Sequence, residues 1–117
     1  MVFCTSCMGQ NNIRSLSPEE FGKAFAADTT AIVIDVRTPE EYIEGHLEGA
    51  LLMDVKNGES FDAALKCLRD DKTYYIYCRS GRRSLTAAER FAGKGLKAVN
   101  MEEGFLGWQK AGLEWTK

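Results

Sequence analysis

Two runs constrain this chain more than any other feature: "AIVIDVR", from Ala31 to Arg37, and "TYYIYC", from Thr73 to Cys78. Both are continuously β-branched or aromatic until they end in polar residues, without the apolar and polar alternation of a half-exposed strand. A strand that is apolar on both faces must be covered on both faces, and a parallel sheet flanked by helices is the usual way to do that. The intervals carry the required helix signals. Ser17 followed by Pro18, Glu19 and Glu20 combines an N-cap, a proline at the first helical position and a glutamate at the third, so a helix is expected from Pro18 to about Ala27. Phe21, Ala24 and Phe25 form its apolar face. Further along, the pattern predicts a short helix from Pro39 to Glu44, a short strand in "GALLMDV", and a helix capped by Ser60 and running through Leu68. A helix from Arg83 to Gly93, a last strand "KAVNM" and a closing helix from Gly104 to Lys110 complete the alternation. The expected class is α/β, a three-layer sandwich with a mainly parallel central sheet of about five strands flanked by helices.

Length and composition set the remaining bounds. A chain of 117 residues, 44% hydrophobic and 27% charged, can bury one core and is too short for two ordinary domains. One domain over residues 12–117 is expected, preceded by a flexible tail over residues 1–11. No run approaches the ~20 apolar residues that span a bilayer, so no transmembrane segment is expected. The net charge of -2 excludes a generally basic nucleic-acid binder but conceals an uneven distribution. Residues 66–97 carry nine Lys and Arg against three Asp and Glu, whereas residues 1–65 carry four against eleven. A cationic excess around Cys78 marks either an anion site or a solvated helix face.

Four cysteines, Cys4, Cys7, Cys67 and Cys78, lack the spacing of a disulfide framework, and a chain with an adequate core does not need one. The N-terminal "CTSC" has three readings: part of a flexible tail, the remnant of a lipoprotein leader around "VFCTSC", or a redox or metal pair. Zinc normally takes four ligands, and the single histidine, His46, is far away in sequence. No metal or other cofactor is expected. The expected location is cytoplasmic, with a periplasmic or membrane-anchored lipoprotein as the alternative if a leader preceded Met1. A monomer is expected.

In folds of this kind ligands collect beyond the carboxyl ends of the strands. Two such ends are chemically loaded: Asp35 to Arg37, and Cys78 to Arg83. A turn with Gly81 in its middle, followed directly by a helix, can aim several backbone N–H groups into one concavity, where the helix N-terminus adds partial positive charge. A thiolate at the bottom of that cup is favoured over the thiol, and Arg79, Arg82 and Arg83 strengthen the effect. The pKa of Cys78 is therefore expected below the free value of ~8.5, which makes it a nucleophile in an anion-binding cradle. The plainer alternative is a small buried hydrophobe ending a strand.

The order of "IDVRTPEEYIEGHLEGALLM", "YYIYCRSGRRS" and "EEGFLGW" resembles the single-domain rhodaneses, a family of sulfurtransferases, over roughly residues 14–115. The resemblance implies a rhodanese-like fold and a persulfide on Cys78, formed from thiosulfate or a similar donor as sulfite leaves and passed on to a thiol or to cyanide. It gives the N–H groups of Arg79, Ser80, Gly81, Arg82 and Arg83 the task of holding the anionic persulfide. The loop from Cys78 through Arg83 counts six residues, one fewer than in related phosphatases and arsenate reductases, which favours sulfur over a tetrahedral oxyanion. Arg79 resembles the thiosulfate-using members rather than the mercaptopyruvate-using ones. Asp35 and Arg37 match the family's Asp-x-Arg signature and read as supports of the loop. Glu41, four positions beyond Arg37, is expected to pair with it if the segment is helical. His46 takes a turn-stabilising place in the family, and a preformed thiolate needs no base. Phe105 and Trp108 match the aromatic closing segment and read as core, and Cys67 as a packing residue on a half-buried helix.

The implied partners are a small anionic sulfur donor and a thiol acceptor, with a sulfur-accepting protein as a further partner and no nucleic acid. Two other functions stand beside the enzyme: a non-catalytic persulfide carrier or rhodanese-like binding module, and a small phosphatase or arsenate reductase.

Overall fold

The protein is described by a computed structural model over residues 13–117. The expectations for Cys4, Cys7 and the N-terminal leader or tail lie outside the described residues.

Five strands and five helices follow one another along the chain: β1 Ile13–Leu16, α1 Pro18–Ala26, β2 Ala31–Asp35, α2 Pro39–Glu44, β3 Leu51–Leu52, α3 Gly58–Lys66, β4 Thr73–Tyr77, α4 Arg82–Gly93, β5 Lys97–Met101 and α5 Gly104–Lys110. All five strands form one sheet in the order β1-β5-β4-β2-β3. Every pairing is parallel. The two continuous apolar runs, β2 and β4, lie side by side in register, Ala31 opposite Thr73 and Asp35 opposite Tyr77. Their central position explains their composition.

Alternate side chains of these strands feed two separate cores, one on each face. Ile34, Ile76, Cys78 and Ala98 pack with Phe61 and Leu65 of α3 and with Ala87, Ala88 and Phe91 of α4. Val33, Tyr75, Tyr77, Val99 and Met101 pack on the other face with Phe21 of α1 and with Phe105 and Trp108 of α5. The result is a three-layer sandwich. The helix after β4 lies on the first face, while α5 after β5, and Tyr42 of α2 after β2, pack on the second. That divergence opens a crevice at the carboxyl end of β4, where Cys78 follows the strand.

Local signals account for most helix boundaries. Ser17 accepts the Glu20 N–H at 3.2 Å as the N-cap of α1. Thr38 does the same for α2, accepting the Glu41 N–H at 3.3 Å, and each helix has a proline in its first turn. Such caps are worth roughly 1 kcal/mol each.

Three expectations need correction. Helix α3 is capped by Asn57, whose side chain accepts the Ser60 N–H at 3.3 Å, so it starts at Gly58 and ends at Lys66. Asparagine caps as well as serine, and the earlier cap takes the first turn. Only Leu51 and Leu52 of "GALLMDV" join the sheet. Ile13–Leu16 adds an edge strand on β5 that the pattern did not announce, because "IRSL" is short and polar at its centre. Among the described residues no helix is long and apolar enough to cross a membrane.

One backbone approach fixes how α5 meets β4. Gly104 has φ of 56°, and a Cβ there would lie 2.5 Å from the carbonyl carbon and oxygen of Arg79 and 2.6 Å from the Cys78 oxygen. Gly49 also has positive φ, 82°, but a Cβ there would meet nothing within 4 Å. Gly104→Ala should therefore lower stability by about 3 kcal/mol or more, combining left-handed strain with a backbone clash, and Gly49→Ala by only about 1 kcal/mol. Urea midpoints of the two variants check the difference.

Candidate active site

Cys78 sits at the junction of β4 and the turn that enters α4, and it is fully buried. Gly81 adopts φ of 102° as the N-cap of α4, a left-handed conformation natural to glycine. This geometry turns the chain sharply enough for the first amides of α4 to face back toward the sulfur. The Gly81 N–H donates to Sγ at 3.0 Å, and the Ser84 hydroxyl donates to Sγ at 3.3 Å. Burial pushes the Cys78 thiol up, but hydrogen bonds from the Ser84 hydroxyl and from the backbone N–H groups of Ser84, Gly81 and Ser80 outweigh it. The pKa therefore falls below the ordinary thiol value.

Arg79, Ser80 and Arg82 are exposed around this buried sulfur. Arg83 is half-buried and bound elsewhere: its guanidinium makes two hydrogen bonds to Glu41, at 2.9 and 3.0 Å. This pair, together with the cap contacts from Thr38, holds the Glu41 carboxyl down to about 2. The expected Arg37–Glu41 pair is thus corrected. Helix α2 begins only at Pro39, so Arg37 lies outside the helical repeat that would bring the two side chains together.

Arg37 instead folds back on Asp35. Its Nε and Nη2 lie 2.9 and 2.7 Å from the two carboxylate oxygens, and Nη2 also donates to the Gly45 carbonyl. The Tyr77 hydroxyl donates to Asp35 Oδ2 at 2.7 Å and accepts the Leu47 N–H at 3.0 Å. Burial and the Asp35 charge together push the Tyr77 hydroxyl far above the ordinary tyrosine value. The Arg37 guanidinium also stacks 4.5 Å over the Phe105 ring. The pair is almost fully buried, so each charge is compensated inside the protein by the other.

The other candidates separate cleanly. His46 stacks on Tyr42 with ring centroids 3.8 Å apart, its Nδ1 lies 2.8 Å from the Tyr42 carbonyl, and its backbone bridges to Thr116. It forms an isolated β-bridge and is not among the sulfur's hydrogen-bond partners, Gly81 and Ser84. Phe105 and Trp108 are core residues, each 6% exposed. Cys67 is corrected: it is the exposed C-cap of α3, not a packing residue, because the helix buries Phe61 and Leu65 and ends before it. Among the described residues no group of three or more His, Cys, Asp or Glu side chains could hold a metal ion.

Ser84 is the site residue that sequence reasoning missed. Its place three residues after the N-cap glycine, in the first turn of α4, was the available signal. Ser84→Ala should raise the Cys78 pKa, so the thiolate forms at higher pH than in the wild type. The check is an ultraviolet thiolate titration in a background with Cys4, Cys7 and Cys67 replaced by Ser. Wild-type Cys78 should ionise below the ordinary thiol value, and the variant at higher pH than the wild type.

Comparison with known proteins agrees with this geometry. YtwF of Bacillus subtilis is 32% identical over 97 residues, covering 83% of this chain and 91% of that protein. The protein named Sulfurtransferase of Allochromatium vinosum is 26% identical over 102 residues, covering 86% of this chain and 92% of its own length. Longer relatives, the archaeal tRNA sulfurtransferases, are matched over only about a fifth of their length. The crystal structure of a rhodanese-related protein from Thermoplasma volcanium superposes with a TM-score of 0.78 at 27% identity, covering 88% of this chain and 97% of that one. The family model described as Rhodanese-like domain matches residues 17–111, and with both cores, strands β2 to β5 and the cysteine loop inside that span, the chain belongs to the rhodanese-like family.

Proposed function

We propose that this protein is a thiosulfate-type sulfurtransferase that carries sulfane sulfur as a persulfide on Cys78. The observation that supports this most is the buried sulfur with the Gly81 N–H at 3.0 Å, the Ser84 hydroxyl at 3.3 Å and a lowered pKa. In the first half-reaction the Cys78 thiolate attacks the outer sulfur of thiosulfate. A Cys78 S–S bond forms, the bond within thiosulfate breaks, and sulfite leaves with the electron pair. In the second half a thiolate acceptor, or cyanide, attacks the terminal sulfur, and the Cys78 thiolate is the leaving group. The cup that lowers the thiol pKa also stabilises the leaving thiolate and the anionic persulfide. Arg79, Ser80, Gly81, Arg82 and Arg83 form the persulfide loop in this reading, with Asp35, Arg37 and Glu41 as supports. A cytoplasmic setting suits it, because free thiol acceptors persist in a reducing compartment.

The carrier reading has an observation of its own. Leu106 is 45% exposed and Leu85 40% exposed, both adjoining the loop that bears exposed Arg79 and Arg82. An apolar surface with a cationic fringe suits a sulfur-accepting protein. Steady turnover with small thiols favours the enzyme; transfer to a protein partner alone favours the carrier. The six-residue loop argues against the phosphatase or arsenate reductase, which would show phosphate ester or arsenate turnover.

Intact mass spectrometry after thiosulfate treatment should find one added sulfur that dithiothreitol removes. Cys78→Ser should take up none and lose turnover while keeping its fold, since an alcohol cannot form a persulfide and the change in volume is small. Substantial turnover in folded Cys78→Ser would overturn the assignment.

Replacing Arg79 and Arg82 together by Ala should mainly raise KM for thiosulfate, with a smaller loss in kcat, because the N–H groups of the loop remain. The effect on kcat/KM should be about 1 kcal/mol, at the low end for charge-assisted contacts because both side chains are exposed. Wild-type kcat/KM should fall with ionic strength, and more steeply than that of the double variant.

A further inference from the structure

A cleft of about 260 Å³ opens beside the loop, lined by Arg37, Glu41, Glu44, Gly45, Arg79, Phe105, Leu106 and Gln109. Two backbone bonds of α5 hold it against the backbone of the loop: the Phe105 N–H donates to the Cys78 carbonyl at 2.8 Å, and the Leu106 N–H donates to the Arg79 carbonyl at 3.1 Å.

The charges in it divide into committed and uncommitted. Arg37 is bound to Asp35 and to the Gly45 carbonyl, and Glu41 is bound to Arg83 and Thr38. Arg79 and Glu44 make no ion pair among the described residues, and both are exposed. One free cation next to Cys78 therefore faces the same cleft as one free carboxylate. Phe105 and Leu106 supply an apolar wall between α2 and the loop, and Gln109 can donate and accept.

We propose that this cleft is the acceptor subsite, built for a small zwitterionic thiol: an amino-acid-like molecule whose carboxylate meets Arg79 and whose ammonium group meets Glu44. The proposal rests on the sulfur-transfer reading and deepens it. A carboxylate at the mouth is unhelpful to the thiosulfate dianion, so Glu44 has no favourable task in the first half-reaction. Because sulfite departs before the acceptor enters, Arg79 can hold the donor anion first and the acceptor carboxylate afterwards. In the discharge step the acceptor thiolate attacks the terminal sulfur of the Cys78 persulfide. The new bond forms on that sulfur, the Cys78 S–S bond breaks, and its electron pair stays on the Cys78 thiolate. No oxidant or reductant enters.

Glu44→Gln separates the two halves. Persulfide-loaded protein is mixed in single turnover with cysteine, with cysteamine, which lacks the carboxylate, and with 3-mercaptopropionate, which lacks the ammonium group. The reading is the variant-to-wild-type rate ratio for each thiol, which cancels their different intrinsic nucleophilicities. The ratio should fall about three- to fivefold for cysteine and cysteamine, as expected of an exposed ion pair, and stay at or above one for 3-mercaptopropionate. Loading from thiosulfate should be undiminished. Equal ratios for all three thiols would overturn the proposal. A second readout needs no sulfur transfer: backbone amide shifts of Arg79, Phe105 and Gln109 in the reduced wild-type protein should respond to S-methylcysteine at lower concentration than to 3-(methylthio)propionate. Absence of that preference also overturns the proposal. If thiosulfate loads no sulfur, the sulfur-transfer reading fails while the binding preference still decides what the cleft recognises.

Discussion

The buried carboxylate of Asp35 sets the terms for everything at the carboxyl end of the sheet. It lies fully inside the protein at the last residue of β2, where an unpaired charge would be very costly. Its demand is met by the Arg37 guanidinium, the Arg37 N–H and the Tyr77 hydroxyl. Each donor then carries the constraint further: Arg37 to the Gly45 carbonyl, and Tyr77 to the Leu47 N–H. One carboxylate thereby ties β2, β4 and the segment after α2 into a fixed arrangement. Removing a single partner from a network of this kind leaves an uncompensated group in the interior, typically a loss of about 3 to 5 kcal/mol.

The cysteine loop is built on that platform and clamped from both sides. Below, Arg37 stacks on Phe105, whose N–H holds the Cys78 carbonyl, while Gly104 brings the backbone of α5 against Arg79. Across the crevice, Glu41 of α2 grips Arg83 in the first turn of α4. With both ends held, the turn through Gly81 needs no capping side chain, and none is present. Its amides remain free to face Sγ. Rigid support under a small set of aimed donors is what a site stabilising an anionic sulfur requires.

How much of this was legible depended on the range of the physical signal. Elements with local signatures read well: the Ser17 cap and the proline behind it, the short helix from Pro39 to Glu44, and the continuous runs of β2 and β4 carry their explanation within a few residues. The loop was legible for the same reason, since Cys78, Gly81 and the following helix are contiguous. The failures came where a tertiary neighbour decided the outcome. Strand β1 exists because β5 offers an edge to a polar tetrapeptide. Arg37 and Glu41 have helical spacing but lie on opposite sides of the Thr38 cap, so their partners are Asp35 and Arg83. Cys67 looked half-buried until α3 ended just before it.

The same distinction of range bears on the origin of the lowered Cys78 pKa. The arginines of the loop were expected to strengthen the effect of the N–H cup, yet the fold disperses the cationic excess over residues 66–97. Arg69 pairs with Asp71, Arg83 with Glu41 and Arg90 with Asp62, and the remaining loop cations, Arg79 and Arg82, are exposed. An exposed charge is screened by water and salt, whereas a neutral donor about 3 Å from a buried sulfur acts at short range in a weakly polarisable surrounding. The largest forces holding the Cys78 pKa down are accordingly the Ser84 hydroxyl and the amides of Ser84, Gly81 and Ser80, which overcome the penalty of burial. The two kinds of group are thus free for different tasks. Neutral donors lie within hydrogen-bond reach of the sulfur, and the exposed arginines stand in solvent around it.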